Sequence, residues 1–571
     1  EFNWPQHHRP ATFLPVNYKI EEHADVSRTI WLSDHDPMNR LRGMHGVCLY
    51  PGRAYLEIKV RLYNRTPFPQ TFLWWANAGV HVNSEYQSFF PPDVEFVADH
   101  ARRAMSAYPL CVGRYYGVDY AHRGYPANDL SRYANIPVPT SYMAIGSNED
   151  FLGGYDHANR AGVVHVANHH IAPGKKQWTW GNAEFGRAWE RNLTDRDGPY
   201  IELMAGVYTG NQPDFSFLAP WETRTFEQYW YPIQEIGPAR KANRDAAISL
   251  RRDGMSVRAG VCVTQRFPGA TVTLEEAGKP VAVWTQDLVP GKAFLESASV
   301  HDDVRLRLSV KTAAGRELIA YWPRPAPAGD PPQPATEPPL PENVATNDEL
   351  YFTGLHLEQY RHATRTPEPY WTEALRRDPE DARSNNALGL RCLRRGEFMQ
   401  AEEHLRRAIS SLTRRNGNPY DGEPYYNLGL ALRYLDRRQE AYAAFYKATW
   451  NYAWRAASFH ALAELDATRG DWEQALEHAG QSLRTNADDL NVRNLSVLLL
   501  RRLERTVEAD GMLAGTLKLD PLDAWAGHLA TDTFSAGEQT RLDIAFDYAR
   551  AGFYEEARRL LVAANAPMLL Y

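Results

Sequence analysis

A spacing of small residues in the last 230 positions constrains this chain most. Gly389, Gly429 and Ala463 are each followed twelve residues later by an alanine, at Ala401, Ala441 and Ala475, and Val497 with Ala509 continues the register. Seven residues further on stand Ala408, Ala448, Ser482 and Thr516. Small side chains at these points let two antiparallel helices approach closely. The 34-residue step from Gly429 to Ala463 is the period of a two-helix solenoid repeat. The 40-residue step before it carries an insertion, Thr413–Gly422. Helix starts follow signals such as Arg377–Asp381 (RDPED) and Leu519–Asp523 (LDPLD). Residues 343–571 are therefore read as an all-α solenoid. Ala549–Ala563 begins a repeat without completing it, so the array is expected to be open at its end.

The preceding residues read as β. Tyr55–Tyr63 (YLEIKVRLY) and Thr223–Tyr231 (TRTFEQYWY) alternate apolar and polar residues, as half-buried strands do. Gln70–Val82, Gly162–Val166 and Tyr200–Val207 add strands, with a long loop-rich stretch over Phe89–Pro139. Residues 1–238 are assigned to a first β domain. Residues 239–324, with short strands at regular spacing such as Ser256–Val263 and Val304–Thr312, form an accessory β-sandwich. Residues 325–342 form a linker, with eight prolines between Pro325 and Pro341, expected to lie extended across the β domains.

Composition narrows the function. The net charge of −7 and pI near 6.3 argue against a nucleic-acid binder. No run reaches 18 apolar residues, so no membrane helix is expected. Four cysteines without a CxxC make a disulfide framework or a zinc–cysteine site improbable and fit a reducing, cytoplasmic setting. No Walker A, dinucleotide fingerprint or GxSxG motif is present, and no cofactor or metal is expected. Nine of the 16 tryptophans and twelve of the 19 histidines lie within residues 1–233. Such aromatics with polar tips suit a sugar cleft, where flat faces stack on pyranose C–H surfaces; a large sandwich core is the plain alternative.

The chemistry-bearing residues cluster in four stretches. Glu202 interrupts an apolar strand, where a carboxylate is costly unless partnered or used. Asp156 and His157 follow two glycines and form an Asp–His pair suited to proton transfer. In Pro173–Trp189, Lys175 and Lys176 read as a solvated basic turn, Trp178 and Trp180 as a stacking platform on one strand face, and Glu184 with Arg187 as a local pair. Trp74–Asp99 supplies Trp75, Asn77, His81 and Asp93. Gln212 and Asp214 follow the Glu202 strand as further substrate-binding candidates. His165, His169 and His170 lack metal-ligand spacing.

Several stretches resemble the galactose-mutarotase-like superfamily, a β-supersandwich. Glu1–Pro5 (EFNWP), the Leu49–Gly52 turn with the YLEIKVRLYNRTP stretch, LWWANAGVHV, and IELMAGVYTGNQPDFSFLAPWETRTF with its Pro220-Trp221-Glu222 turn carry that likeness. LWWAN, FFPPDV, NIPVPTSYM, GGYDH, PGKKQWTWG and NQPDFSFLAPWE, together with the proline linker and the repeats, are similar to the bacterial family called domain of unknown function 5107, fused to tetratricopeptide repeats. The resemblance implies that Glu202 removes the anomeric hydroxyl proton and that His81 or His157 protonates the ring oxygen. It also implies that strands upstream of Glu1 complete the β domain, either supplied by another fragment or separated from this chain by cleavage.

The functional expectation is a carbohydrate-active enzyme for oligosaccharides. A glycoside hydrolase pairing Glu202 with Asp93, Asp156 or Glu184 leads, with carboxyls ~5–5.5 Å apart for retention or ~6.5–9.5 Å for inversion. The alternatives are a sugar mutarotase or epimerase, a glycan-binding module using Trp178, and repeats that bind a protein or a second copy. Gly354–Arg365, with His356, is expected to reach toward the cleft. The enzymatic readings need Glu202 in an open, tryptophan-walled groove.

Overall fold

The computed structural model describes residues 15–36, 39–211, 214–301, 305–323, 329–360, 362 and 364–562. Two antiparallel sheets build the first region. The larger has eight strands, in the spatial order Asn17–Glu22, Arg28–His35, Leu41–Leu49, Leu56–Asn64, Thr223–Gln234, Ala161–Ala167, Phe151–Asp156 and Tyr86–Phe89. The smaller has six: Trp74–His81, Tyr200–Val207, Gly174–Thr179, Thr140–Ile145, Phe96–Ala98 and Met105–Ala107. Alternation along each strand sends Leu62, Phe226 and Leu152 from one sheet against Ile201, Leu203 and Tyr142 from the other.

That core is partly polar. Ser88 donates to Gln177, and His165 Nε2 lies 2.9 Å from Gln228 Oε1. Burial pulls the His165 ring down to about 3, so it stays neutral. The expected basic turn is instead a buried strand, with Lys175 and Lys176 only 2% and 3% exposed. Successive residues point to opposite faces, so Lys175 enters the core, where burial lowers its ammonium to about 8 against the pull of Asp93, Asp150 and Glu149.

A second sandwich follows, of two four-stranded sheets, one containing Ala246–Asp253 and Ser256–Val263, the other Phe267–Glu276 and Leu306–Lys311. Between it and the helices, residues 329–340 form neither helix nor strand, and Ala335 N donates to Arg102 O of the first sandwich at 2.8 Å.

Thirteen helices of the described residues follow, from Asn347–Tyr360 to Tyr554–Val562. Ala401, Ala408, Ala441, Ala448, Ala475, Ser482, Ala509 and Thr516 are all fully buried, as the spacing requires. A Cβ on Gly429 would lie 2.6 Å from the Phe445 ring, which is why a side chain cannot stand there.

The helical array does not stand free. Helices Tyr452–Arg469 and Leu490–Arg502 are buried around most of their circumference, which needs a cover on both sides. The first sandwich supplies the second cover. Trp221, 4% exposed and held at φ 63°, leaves the Pro220–Glu222 turn and sits 4.5 Å from the His460 ring and 4.7 Å from the Arg550 guanidinium. Tyr426 donates to Pro67 O at 2.9 Å, and Asn486 to Trp221 O at 2.9 Å. Arg42 reaches Asp520 at 2.5 Å, while His35 and Arg40 reach Asp543 at 2.7 and 2.9 Å. Glu464 lies between Arg433 and Arg550, which hold its carboxyl well below the usual range despite its burial.

Two outcomes follow. Asp520→Ala leaves the buried Arg42 facing only Asp523, 3.6 Å away, and costs about 3 kcal/mol in denaturant unfolding. Burial alone would lower His460, yet Asp489 and Glu464 raise it to about 9. Its stabilising charge is therefore fully present below pH ~6.5 and lost as pH rises through about 9. The thermal unfolding temperature of the wild type declines across that window, and His460→Gln removes that part of the slope.

Candidate functional site

The strand Tyr200–Val207 turns Ile201, Leu203 and Ala205 into the core, so Tyr200, Glu202, Met204 and Gly206 look outward. Glu202 stands in register with Gly79 on one neighbouring strand and Trp178 on the other. Its diagonal neighbours are Asn77 and His81 on one side and Lys176 and Trp180 on the other, roughly 7–8 Å away by ladder geometry. Asn77 Nδ2 donates to Glu202 Oε2 at 2.8 Å. Glu202 is half-buried, and Asn77 and His81 are exposed. No carboxylate occupies any of these neighbouring positions.

Glycines shape the surface around Glu202. A Cβ on Gly79 would meet nothing nearer than Tyr200 Cδ2 at 3.7 Å, so the space opposite Glu202 is open. Gly206 and Gly174 are instead roofed by the Trp75 indole, which a Cβ would approach to 2.6 and 2.9 Å. Beyond Glu202, Trp178 and Trp180 meet edge to face at 4.7 Å, and Trp180 stacks on Trp189 at 5.0 Å while donating to Tyr200 OH at 3.1 Å. Trp178 is thus the indole of this group directly beside Glu202.

The face also holds a hydrogen-bonded chain that the sequence reading missed. Lys176 Nζ lies 2.5 Å from His100 Nε2, His100 Nδ1 lies 2.7 Å from Ser141 Oγ, and Tyr116 OH lies 2.8 Å from the same oxygen. With the lysine donating, Nδ1 carries the ring proton and donates to Ser141. The signal for Lys176 was its two-residue offset from Trp178; His100 and Tyr116 come from loops, for which periodicity gives none. At this end Asn211 Nδ2 donates to His100 O at 3.2 Å. Asp214 follows in the same loop. Burial raises its carboxyl, opposed by His356 of the first solenoid helix and by Arg102.

Trp75, Asn77, His81, Trp178, Trp180 and Glu202 thus share one face. The remaining candidates do not join them. Asp93 accepts from Ser147 Oγ at 2.9 Å and Asn148 N at 2.8 Å, pinning a loop. Asp156 ends a strand of the other sheet and accepts from Asn83 at 2.8 Å and Asn159 at 2.6 Å; burial would raise its carboxyl, but these bonds keep it low. His157, in the same sheet, lies 2.9 Å from Gln87 Oε1 and is lowered by burial and by Arg132. Glu184 is exposed and pairs with Arg191 at 2.8 Å rather than with Arg187, which donates to Asn182 O at 3.2 Å. Gln212, like Glu1–Pro5, lies outside the described residues. Among the described residues no cluster of three metal-ligating side chains occurs, and no helix is long and apolar enough to cross a membrane.

Two glycine variants check this geometry by denaturant unfolding. Gly206→Val drives a side chain into Trp75 and costs about 1–3 kcal/mol. Gly79→Ala stays within about 1 kcal/mol, the usual penalty of neither a clash nor a lost contact.

Residues 1–233 match the family model described as Domain of unknown function (DUF5107), and residues 241–321 that of the YphG-like protein, second domain. Among solved structures, the chain aligns over 99% of its length with 78% of a TPR-domain containing protein from Parabacteroides distasonis, at 17% identity and a TM-score of 0.35. It aligns over 38% of its length with 54% of a putative aldose 1-epimerase from Klebsiella pneumoniae, at 10% identity and a TM-score of 0.28.

Proposed function

We propose, for a chain whose residues 1–233 belong to the DUF5107 family, that the outer face of the six-stranded sheet is a sugar site performing proton transfer at the anomeric centre, as in an aldose mutarotase or epimerase. The observation that supports this reading is Glu202 held by Asn77 with an exposed imidazole, His81, as diagonal neighbour and no carboxylate at any adjoining position. Hydrolysis of a glycoside needs two carboxyls flanking one bond. Ring opening of an aldose needs only a base for the anomeric hydroxyl and an acid for the ring oxygen.

In this reading a pyranose lies over Gly79 with its apolar face on Trp178. Glu202 takes the anomeric proton, directed by the Asn77 amide. His81 donates to the ring oxygen as the C1–O5 bond breaks; after rotation about C1–C2, O5 closes on the other face of C1 while His81 takes its proton back from O5 and Glu202 returns its proton to O1. The Lys176 ammonium lies diagonal to Glu202 on the same face. No cofactor enters this scheme.

A hydrolytic reading has one observation in its favour, the raised carboxyl of Asp214, which suits a general acid. Polarimetry with α-D-glucose and α-D-galactose separates the two, alongside screening on oligosaccharide glycosides. Mutarotation above the spontaneous rate, reduced about 100-fold or more in Glu202→Gln with unfolding unchanged, is the expected result. Asp214→Asn retains that rate. Turnover of glycosides lost in both variants would replace the epimerase reading, and wild-type solutions no faster than buffer on every substrate would end both. Trp178→Ala raises KM at least several-fold with a smaller change in kcat, as loss of a stacking surface does.

A further inference from the structure

On the opposite sheet a cleft of about 1110 Å³ separates the first sandwich from the second. Its size exceeds what a bare ion fills and suits a small organic ligand. Cationic side chains reach it from both walls: Arg132 and Arg160 from the first, beside the His157 imidazole, and Arg240, Arg251 and Arg258 from the second. Arg160 is paired with Glu235 at 3.2 Å, and Arg132 is 3.6 Å from Asp129. Among the described residues, Arg240, Arg251 and Arg258 form no ion pair. Arg251 and Arg258 stand directly opposite each other in an antiparallel ladder, a like-charge placement that costs stability. The positive field of Arg132 and Arg251 converges on the His157 ring from the two walls, with Glu85 and Asp156 opposing it. Glu85 and Glu95 also line the cleft and leave its cations in excess.

We propose that this cleft binds an anionic saccharide, its phosphoryl or carboxylate group held by Arg251 and Arg258 and facing Arg132 across the gap. Guanidinium forks match both oxyanions in a bidentate manner, and an anion between the two walls removes the like-charge cost that the empty ladder carries. The exposed Tyr125 hydroxyl lines the cleft and supplies a partner for a polyhydroxylated body, while the Ser131 hydroxyl and the Gln87 amide are engaged with each other and with Asp129 and His157. This site is independent of Glu202, which lies on the other sheet.

Calorimetric titration of the whole chain with glucose 6-phosphate, glucuronate and glucose tests the proposal. The expected result is saturable binding of at least one of the two anions, with glucose at least tenfold weaker, and a further tenfold or greater loss in Arg251→Gln/Arg258→Gln. Which anion binds more tightly distinguishes phosphoryl from carboxylate recognition. Both arginines are exposed and their removal relieves the like-charge contact, so the double variant unfolds at a temperature no lower than the wild type. In the wild type the bound anion also shifts the His157 imidazole resonance, a readout that needs no variant. Neither anion binding, glucose binding equally well, or the double variant retaining full affinity would overturn it.

Discussion

Charged groups buried between the first sandwich and the helical array hold this molecule in one arrangement. Arg42 on Asp520, and Arg40 and His35 on Asp543, are drawn from water together with their partners. Such pairs add little net stability over an apolar contact, but any other placement of the helices strands a charge. They therefore specify orientation more than they strengthen it, while Trp221 and the apolar contacts of Trp31 and Tyr63 with Leu490 supply the attraction.

Orientation matters because loops near the Glu202 face meet the helices. The strand ladder sets which side chains surround Glu202, and this is fixed by register alone: a slip of one residue would turn the carboxylate into the core and Ile201 outward. The loop through Asn211 and Asp214 then lies between His100 of the sheet region and His356 of the first helix. The sheet supplies a rigid platform, and the solenoid borders one end of it.

The sequence was legible where a period repeats. The twelve- and seven-residue offsets named the buried small residues of the helices, and two-residue alternation put Trp178 with Trp180 on one strand face and Glu202 opposite Ile201 and Leu203; the strand register that joins them to Asn77 and His81 carries no such signal. It was misleading where local composition competes with tertiary context. Two adjacent lysines after Pro173-Gly174 look like a wet turn, yet the strand pairs on both sides and both are buried. Asp156 after two glycines looks like a presented acid, yet it closes a turn by accepting backbone and asparagine donors. His100, Ser141 and Tyr116 belong to three separate segments, and only folding brings their side chains together.

The Trp221 turn has one more consequence. Its indole and the carbonyls of Pro67 and Trp221 occupy the helix surface at Tyr426, His460 and Asn486. A tethered occupant of this kind competes at an effective concentration of the order of millimolar. Any molecule aimed at the same surface would have to displace a group that never leaves.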